Sequence, residues 1–363
     1  MAIEKITEEE LVSRIKSEIT DSLGYGDTIS EQREKAMEYY YGLPFGNEVE
    51  GRSQFVDSTV QDTVEWIKPS LMRVFASGDE MVKFNPHGPE DVKMAEQATD
   101  YVNFVFTKDN PGWEIMYSWF TDALLSKNGI VKVWWDETDE SQREEYKNLT
   151  EDELAVLLND PEVEVIEHTA PGDTAEGAYG EMSSEGHHIV IKRTNYNGRI
   201  RIENVPPSEF LIARDAKDIQ NARFVCHRVQ KTLSELREMY PDEDLDSDEL
   251  GGGEEDFSGE RSARFDFDES NHFGFRDSEP EDALKLYWLH ESFLKTDFDG
   301  DGIAELRKVC TVGSKVLEND EIDSVPFVSL TPVKIPHKFF GLSIADLVMD
   351  LQLMKSTLMR NLM

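Results

Sequence analysis

Hydrophobic residues in the first 127 positions recur at the three- and four-residue intervals of amphipathic helices. Thr7 and Glu10 form a capping-box pair, in which each side chain bonds a free backbone N–H of the first turn, and Leu11 and Ile15 follow at helical spacing. The same pattern predicts further helices over residues 30–41, 58–76, 89–106 and 111–125, two of them opened by a proline. This part of the chain is therefore predicted to be helical.

The predicted helix at 58–76 has the most regular pattern. Ser58 and Gln61 make a second capping-box pair. Pro69 lacks an N–H and clashes with the preceding turn, which predicts a kink or break at residues 66–68. Charged residues such as Lys68 are expected to lie off the buried side. The apolar residues define one stripe that partners should cover: Val60, Val64, Ile67, Leu71 and Val74.

Strand patterns begin after Asn128-Gly129. Residues 130–135 form the first predicted strand, and 188–194 with 199–205 form a predicted hairpin around Asn197-Gly198. Residues 137–185 are acidic and are interpreted as an insertion on the sheet, with a short helix at 151–158. The remaining strands are predicted at 223–229, 284–294, 304–312 and 315–317.

Two further helices are predicted from capping-box pairs, Thr232 with Glu235 and Ser343 with Asp346. The second reaches Met363 without a stop signal, so we expect a chain that was cut inside a helix.

The fold class is predicted as α+β. The predicted regions are helical (1–127), β-rich with an acidic insertion at 137–185 (128–240), an acidic flexible loop or linker (241–283), a β-hairpin subdomain (284–340) and the start of a long helix (341–363).

Charge is the outlying property of this composition. The 363 residues include 37 basic and 75 acidic side chains, a net charge of −38. Tight binding of free nucleic acid is disfavoured, because DNA affinity comes largely from Lys and Arg displacing counterions. An acidic wall would instead let DNA slide, although acidity also suits any soluble cytosolic protein. Two cysteines are too few for a disulfide framework or a four-ligand zinc site, and the sequence has neither a signal peptide nor a membrane span.

Several segments together resemble the portal proteins of short-tailed double-stranded DNA bacteriophages. They are residues 50–89, the helices through Leu125 into GIVKVWW, the block VPPSEFLIARDAKDIQNARFVCHRVQKTLSELREMY, DFDGDGIAELRKV and FFGLSIADLVMDLQLMKSTLMRNLM. The resemblance implies a structural ring, usually of twelve subunits, at one capsid vertex. DNA would pass through it during packaging and ejection, and the subunit would have no catalytic residues.

The resemblance also implies partners and a place. The ring would contact a terminase motor, a tail adaptor, capsid and scaffold proteins, and double-stranded DNA that passes without sequence-specific binding. The protein would be made in the bacterial host cytoplasm and carried in the virion. Family members run several hundred residues further, so this chain is expected to supply the N-terminal portion: the outer wing, with a helical region beside a mixed or antiparallel β domain, and a long helix leading toward the stem and channel.

A possible cation site lies in the segment DFDGDGIAE. Hard cations such as Ca²⁺ prefer several oxygens from a tight loop with a central glycine. Position 12 is Lys308, so the bidentate glutamate of an EF-hand is missing. A structural Ca²⁺ loop and a plain acidic hairpin both fit this pattern. The candidate ligands are Asp297, Asp299, Asp301, the Ile303 carbonyl and Glu305.

The predicted hairpin is the one basic hairpin in the acidic chain, with Lys192, Arg193, Arg199 and Arg201. Salt bridges to an acidic neighbouring subunit are favoured over a DNA contact. Cys226-His227 is interpreted as structural, because neighbours on a strand point to opposite faces. Two rival functions stay open: a calcium-dependent assembly or adhesion module, and an acidic metal-dependent hydrolase.

Overall fold

A computed structural model of the chain describes residues 6–48, 51–76, 78, 80–136, 140–158, 160, 163–169, 187–195, 198–241, 243, 245 and 282–363. The first four described helices precede the first strand, and the strands pair mostly in antiparallel fashion, so the predicted α+β class is confirmed. The chain divides into two compact units. The first comprises Met1–Val133 and Ile202–Met363, and the second comprises Trp134–Arg201.

The described helices, numbered here in chain order, begin and end as follows: α1 Glu8–Tyr41, α2 Thr59–Ala76, α3 Val92–Phe104, α4 Gly112–Ser126, α5 Glu151–Leu158, α6 Leu233–Met239 and α7 Ile344–Leu362. A π-helical turn, Val105–Asp109, follows α3. Three of the predicted capping boxes form, at Thr7, Thr232 and Ser343, so the starts of α1, α6 and α7 are confirmed.

The described strands are β1 Gly129–Asp136, β2 Glu140–Leu149, β3 Val163–Thr169, β4 His187–Asn195, β5 Arg199–Val205, β6 Phe210–Ile212, β7 Phe224–Thr232, β8 Leu286–Thr296, β9 Glu305–Val312, β10 Lys315–Glu321 and β11 Phe327–Leu330. The first unit contains a five-stranded sheet in the order β10-β9-β8-β7-β6. A three-stranded sheet has the order β11-β1-β5, and the sheet β2-β4-β3 lies in the second unit.

The core of the first unit begins where α1 packs on the five-stranded sheet. Leu11 and Ile15 of α1 lie against Phe224 and Cys226 of β7 and Leu294 of β8. This arrangement follows from the two periodicities, since one stripe of α1 and alternate residues of each strand are apolar.

An aromatic cluster forms a second part of this core. The Phe327 ring lies edge-on to Phe210 and Phe293, with ring centroids 5.4 and 5.5 Å apart. Offset and edge-on rings are the favoured geometries for buried aromatic pairs. Beside it, α1, α2, α4 and α7 form a helical layer in which Met37, Val60 and Ala345 meet.

The second unit is built around β4. Ile189 and Ile191 are fully buried, and β4 pairs with β2 on one side and β3 on the other, both antiparallel. The predicted helix at 151–158 is confirmed as α5.

The predicted hairpin between residues 188–194 and 199–205 is wrong. Both segments are strands, but β4 pairs with β2 and β3, and β5 lies beside β1. Because β2 and β3 already pair with both edges of β4, β5 cannot pair with it. The predicted turn residue Asn197 lies outside the described residues, as does most of the predicted acidic linker at 241–283.

Three further predictions for the helices need correction. Residues 8–41 form one helix, so the separate helix at 30–41 is wrong. Gly24 and Gly26 have open space around them, and packing along α1 offsets their weak helix propensity of about 1 kcal/mol each. No break occurs at Pro69, because α2 continues from Thr59 to Ala76. The Ser58 hydroxyl bonds Asp62 Oδ2 at 3.2 Å instead of capping a first-turn amide.

Candidate functional surfaces

The loop between β8 and β9 is folded around the first of its aspartates. Asp297 Oδ1 accepts a hydrogen bond from Gly300 N at 2.7 Å, and its Oδ2 accepts one from Gly302 N at 2.9 Å. Both glycines have positive φ, 80° and 91°, which favours glycine over residues with a Cβ. The two glycines therefore let the backbone wrap tightly around one carboxylate.

The same turn brings three carboxylates together. One oxygen each from Asp297, Asp299 and Asp301 lies within 4.8 Å of the others. Asp301 Oδ1 also accepts a 2.7 Å hydrogen bond from Ile303 N, and the Ile303 side chain is exposed. Glu305 stands apart from the three, with its Oε1 3.3 Å from Arg307 NH1. The structure thus assembles three of the predicted ligands, and Glu305 contacts an arginine.

The four predicted basic residues lie on two strands of different sheets. Lys192 and Arg193 belong to β4, whereas Arg199 and Arg201 belong to β5. Arg201 Nε lies 2.9 Å from Asp136 Oδ2, and Arg199 Nε lies 3.9 Å from the same oxygen.

Arg193 is also engaged within the second unit. Its guanidinium lies 3.0 Å from Asp160 Oδ2 and 3.5 Å from Glu144 Oε2, and the Lys192 side chain is exposed. The three arginines thus have acidic partners inside their own subunit.

Cys226 and His227 point to opposite faces of β7, as predicted. Cys226 packs against Leu11 and Ile15 of α1, and burial raises the pKa of its thiol to about 12. A thiol with that pKa is protonated at neutral pH and is a poor nucleophile. The pair therefore has the geometry of a structural element.

A buried ionic cluster on the other face of the sheet was not predicted from the sequence. Glu291 of β8 is the register partner of His227 on β7, and His227 Nδ1 lies 3.7 Å from Glu291 Oε2. Lys132 Nζ bonds the same carboxylate, and Lys308 Nζ lies 3.9 Å from it. Only the register of the sheet reveals this set, because its members come from three distant parts of the sequence.

Within this cluster the pKa values of Glu291 and His227 are shifted in opposite directions. Burial alone raises the pKa of Glu291, but the adjacent His227 and Lys132 outweigh burial and lower it to about 2. Burial alone lowers the pKa of His227, but the carboxylates of Glu209 and Glu291 outweigh it and raise the pKa. Both residues therefore favour their charged forms inside the sheet.

The buried side of α2 differs from the predicted stripe. Val60 and Val64 are fully buried, but Val74 is 73% exposed. Lys68, expected to lie off the buried side, is only 3% exposed. Its Nζ lies 2.6 Å from Glu65 Oε1 and 3.0 Å from the Tyr117 hydroxyl. Lys68 is buried because an anion and a polar aromatic ring surround its ammonium group.

The helix α7 packs Val348, Met349 and Leu353 against the helical layer but leaves a second row of apolar residues exposed. Ala345, Gln352 and Ser356 are buried against the other helices. The exposed residues define what we call the α7 apolar face: Leu347, Leu351, Met354, Leu358 and Leu362, each about half exposed or more. An apolar stripe of this length is unusual on a free surface and marks a contact site.

The comparison with protein families identifies the family of this chain. The model for the family described as Phage SU10 portal protein matches residues 11–363. The chain belongs to the Phage SU10 portal protein family. The predicted resemblance to podovirus-type portal proteins is therefore confirmed. A comparison with curated proteins gave no match.

Membership in the Phage SU10 portal protein family gives the exposed surfaces a context. Portal proteins are structural proteins that form oligomeric rings at a capsid vertex, together with capsid and other phage proteins. Within the described part of the chain, no helix is both long and apolar enough to cross a membrane.

Proposed function

We propose that this portal protein is one subunit of a twelve-membered ring through which double-stranded DNA is packaged and ejected. The family match carries the proposal, and the α7 apolar face supports it, because a ring subunit must bury such a surface against a neighbour. The protein would be made in the host cytoplasm and then enter the virion.

In this proposal the ring is a platform as well as a conduit. A terminase motor would dock on it during packaging, a tail adaptor afterwards, and capsid and scaffold proteins would surround it. The subunit itself would perform no catalysis. The family match lends no support to the two rival functions, an adhesion module and a metal-dependent hydrolase.

DNA would pass this subunit without being held. The net charge of −38 repels a polyanion, and the intramolecular ion pairs of Arg193, Arg199 and Arg201 reduce their availability to phosphates. A gel-shift assay with short duplexes near physiological salt is expected to show no retention. Sequence-specific retention would contradict this part of the proposal.

Electron microscopy and mass measurement of the purified protein test the ring. The expected particle is a closed ring whose mass is twelve times that of the subunit. A protein that stays monomeric at all concentrations would argue against ring formation by this chain.

The acidic loop would give the portal subunit a structural cation. The close approach of three carboxylate oxygens supports Ca²⁺ over a plain acidic hairpin, because the ion would offset the repulsion between them. Glu305 and the Ile303 carbonyl remain the predicted additional ligands.

A further inference from the structure

Two histidine side chains meet at one end of the ladder between β3 and β4. His168 Nε2 lies 3.0 Å from His187 Nδ1. The ring planes are within 17° of parallel, with centroids 5.2 Å apart. A hydrogen bond between two imidazoles needs an N–H on one ring and a bare lone pair on the other. The accepting nitrogen of the pair offers a bare lone pair, which is also the group that binds a metal ion.

The distance between these nitrogens suits chelation of one ion. Two metal–nitrogen bonds of about 2.0–2.1 Å that meet at roughly 90–110° place the nitrogens roughly 2.8–3.4 Å apart. The observed 3.0 Å falls within this interval. Imidazole nitrogen is the ligand that Zn²⁺, Cu²⁺ and Ni²⁺ favour, whereas Ca²⁺ and Mg²⁺ favour oxygen. We propose that His168 and His187 bind a divalent late transition-metal ion, with Zn²⁺ as the representative, in place of the proton they share.

Solvent access to the two histidines and the negative net charge of the protein both favour binding of such an ion. His168 is exposed and His187 is half-buried, so solvent reaches the pair and water completes the coordination. The protein's net charge of −38 raises the local concentration of cations. Because the two imidazoles are neutral ligands, the ion keeps its full charge in this acidic surrounding.

The neighbouring residue His188 provides a control for metal binding by His168 and His187. His188 follows His187 on β4, so its side chain leaves the opposite face of the sheet. Its Nε2 lies 2.8 Å from Glu145 Oε1, and Glu145 Oε1 also lies 2.9 Å from Lys147 Nζ. His188 is therefore a metal-ligating residue type on the same strand that does not belong to the site.

The position of the site indicates what the ion would do. β3 ends at Thr169 and β4 begins at His187, so the pair joins the two strands at this end of the ladder. A bound ion would cross-link β3 to β4 and stabilise this end of the ladder. This role goes beyond the portal function and does not depend on ring formation.

Calorimetric titration of the full chain with Zn²⁺ at pH 7.5 tests the proposal, with millimolar Ca²⁺ present to occupy oxygen sites. The wild type is expected to bind one Zn²⁺ per chain. His168→Asn and His187→Asn should each weaken binding at least about tenfold, and His188→Asn should leave it unchanged. Titration with Cu²⁺, followed by electron paramagnetic resonance, should show coupling to two nitrogens in the wild type and to one in either variant.

Three other outcomes would argue against metal binding by His168 and His187. If no heat is seen up to millimolar Zn²⁺, the site does not exist. If His168→Asn binds as well as the wild type, the ion lies elsewhere on the acidic surface. If His188→Asn weakens binding as much as His187→Asn, the loss reflects damage to β4. Melting curves in chelator, expected to coincide for all four proteins, separate metal loss from misfolding.

Discussion

The side-chain carbonyl of Gln352 accepts a 2.8 Å hydrogen bond from the backbone N–H of Val60. Its amide nitrogen donates to the backbone carbonyl of Tyr39, also at 2.8 Å, and the residue is completely buried. Helix ends leave such groups without intrahelical partners. One side chain of α7 thus bonds both the first turn of α2 and the last turn of α1. Ser356 acts alongside it, since its hydroxyl accepts from Asp57 N at 2.9 Å.

Replacing this residue should destabilise the helical layer. Gln352→Leu leaves the buried Val60 N–H without its partner, at about 1–3 kcal/mol. It also removes one of the two hydrogen bonds to the Tyr39 carbonyl, which keeps the one from Gly42 N at 3.3 Å. We expect the free energy of unfolding to fall by roughly 2 kcal/mol in urea denaturation. Gln61→Leu, at an exposed position on α2, should change it by less than about 0.5 kcal/mol. Equal effects of the two substitutions would show that the buried hydrogen bonds add no stability.

The α7 apolar face should be needed for assembly but not for folding. Leu351→Asp and Leu358→Asp place a charge on exposed positions, so the melting temperature of the subunit should change little. In an assembled ring the same charge would be desolvated, and ring formation should be lost.

Mass photometry of each variant measures the fraction in rings. Thr357→Asp adds the same charge at an exposed polar position of α7 and should still assemble. Rings of normal abundance from the leucine variants would show that the α7 apolar face is not a subunit contact.

Local signals in the sequence predicted the helix starts, whereas contacts between distant segments did not follow from it. Thr7, Thr232 and Ser343 cap their helices with residues three positions away, so each motif is complete within one turn. Lys68 is buried because Tyr117 of α4 lies beside it, and Val74 is exposed because no described element covers it. The pattern along α2 could not reveal either fact.

The same limit applies to the strands and the sites. The turn-like Asn197-Gly198 favoured a hairpin, but pairing is decided by which edges are free in the folded sheet. The three aspartates of the cation loop are close in sequence and could be predicted together. Glu291 and His227, and likewise His168 and His187, meet only through strand register.

The ionic cluster in the five-stranded sheet should contribute strongly to the free energy of unfolding at neutral pH. Glu291→Gln removes the carboxylate that Lys132 and His227 share inside the sheet, while Glu209 stays 3.9 Å from His227. Breaking a buried ion pair in this way typically costs about 3–5 kcal/mol, and we expect a loss of roughly 3 kcal/mol at pH 7. Glu321→Gln, at an exposed position on β10, should cost almost nothing.

The pH dependence of this loss follows from the pKa of Glu291. Folding lowers that pKa from its ordinary 4.5 to about 2, so the stabilisation is complete above about pH 4.5 and disappears as the pH falls toward 2. Urea denaturation at pH 7, 5 and 3 should therefore show the difference between wild type and Glu291→Gln shrinking at pH 3. A difference that stays constant over this range would mean that the carboxylate is not stabilised by its charged neighbours.

Calcium should stabilise the portal subunit through the loop between β8 and β9. Binding to the folded state alone raises the free energy of unfolding by about 2.7 kcal/mol at a hundred times the Kd, so the melting temperature should rise with Ca²⁺. Asp299→Asn keeps the side-chain size and removes one charge, which should weaken the Ca²⁺ effect and cost little without Ca²⁺, because repulsion from Asp297 and Asp301 is relieved. Asp323→Asn, an exposed site outside the loop, should respond to Ca²⁺ like the wild type. Equal melting temperatures with Ca²⁺ and with chelator, together with no calorimetric heat up to millimolar Ca²⁺, would identify the loop as an ordinary acidic hairpin.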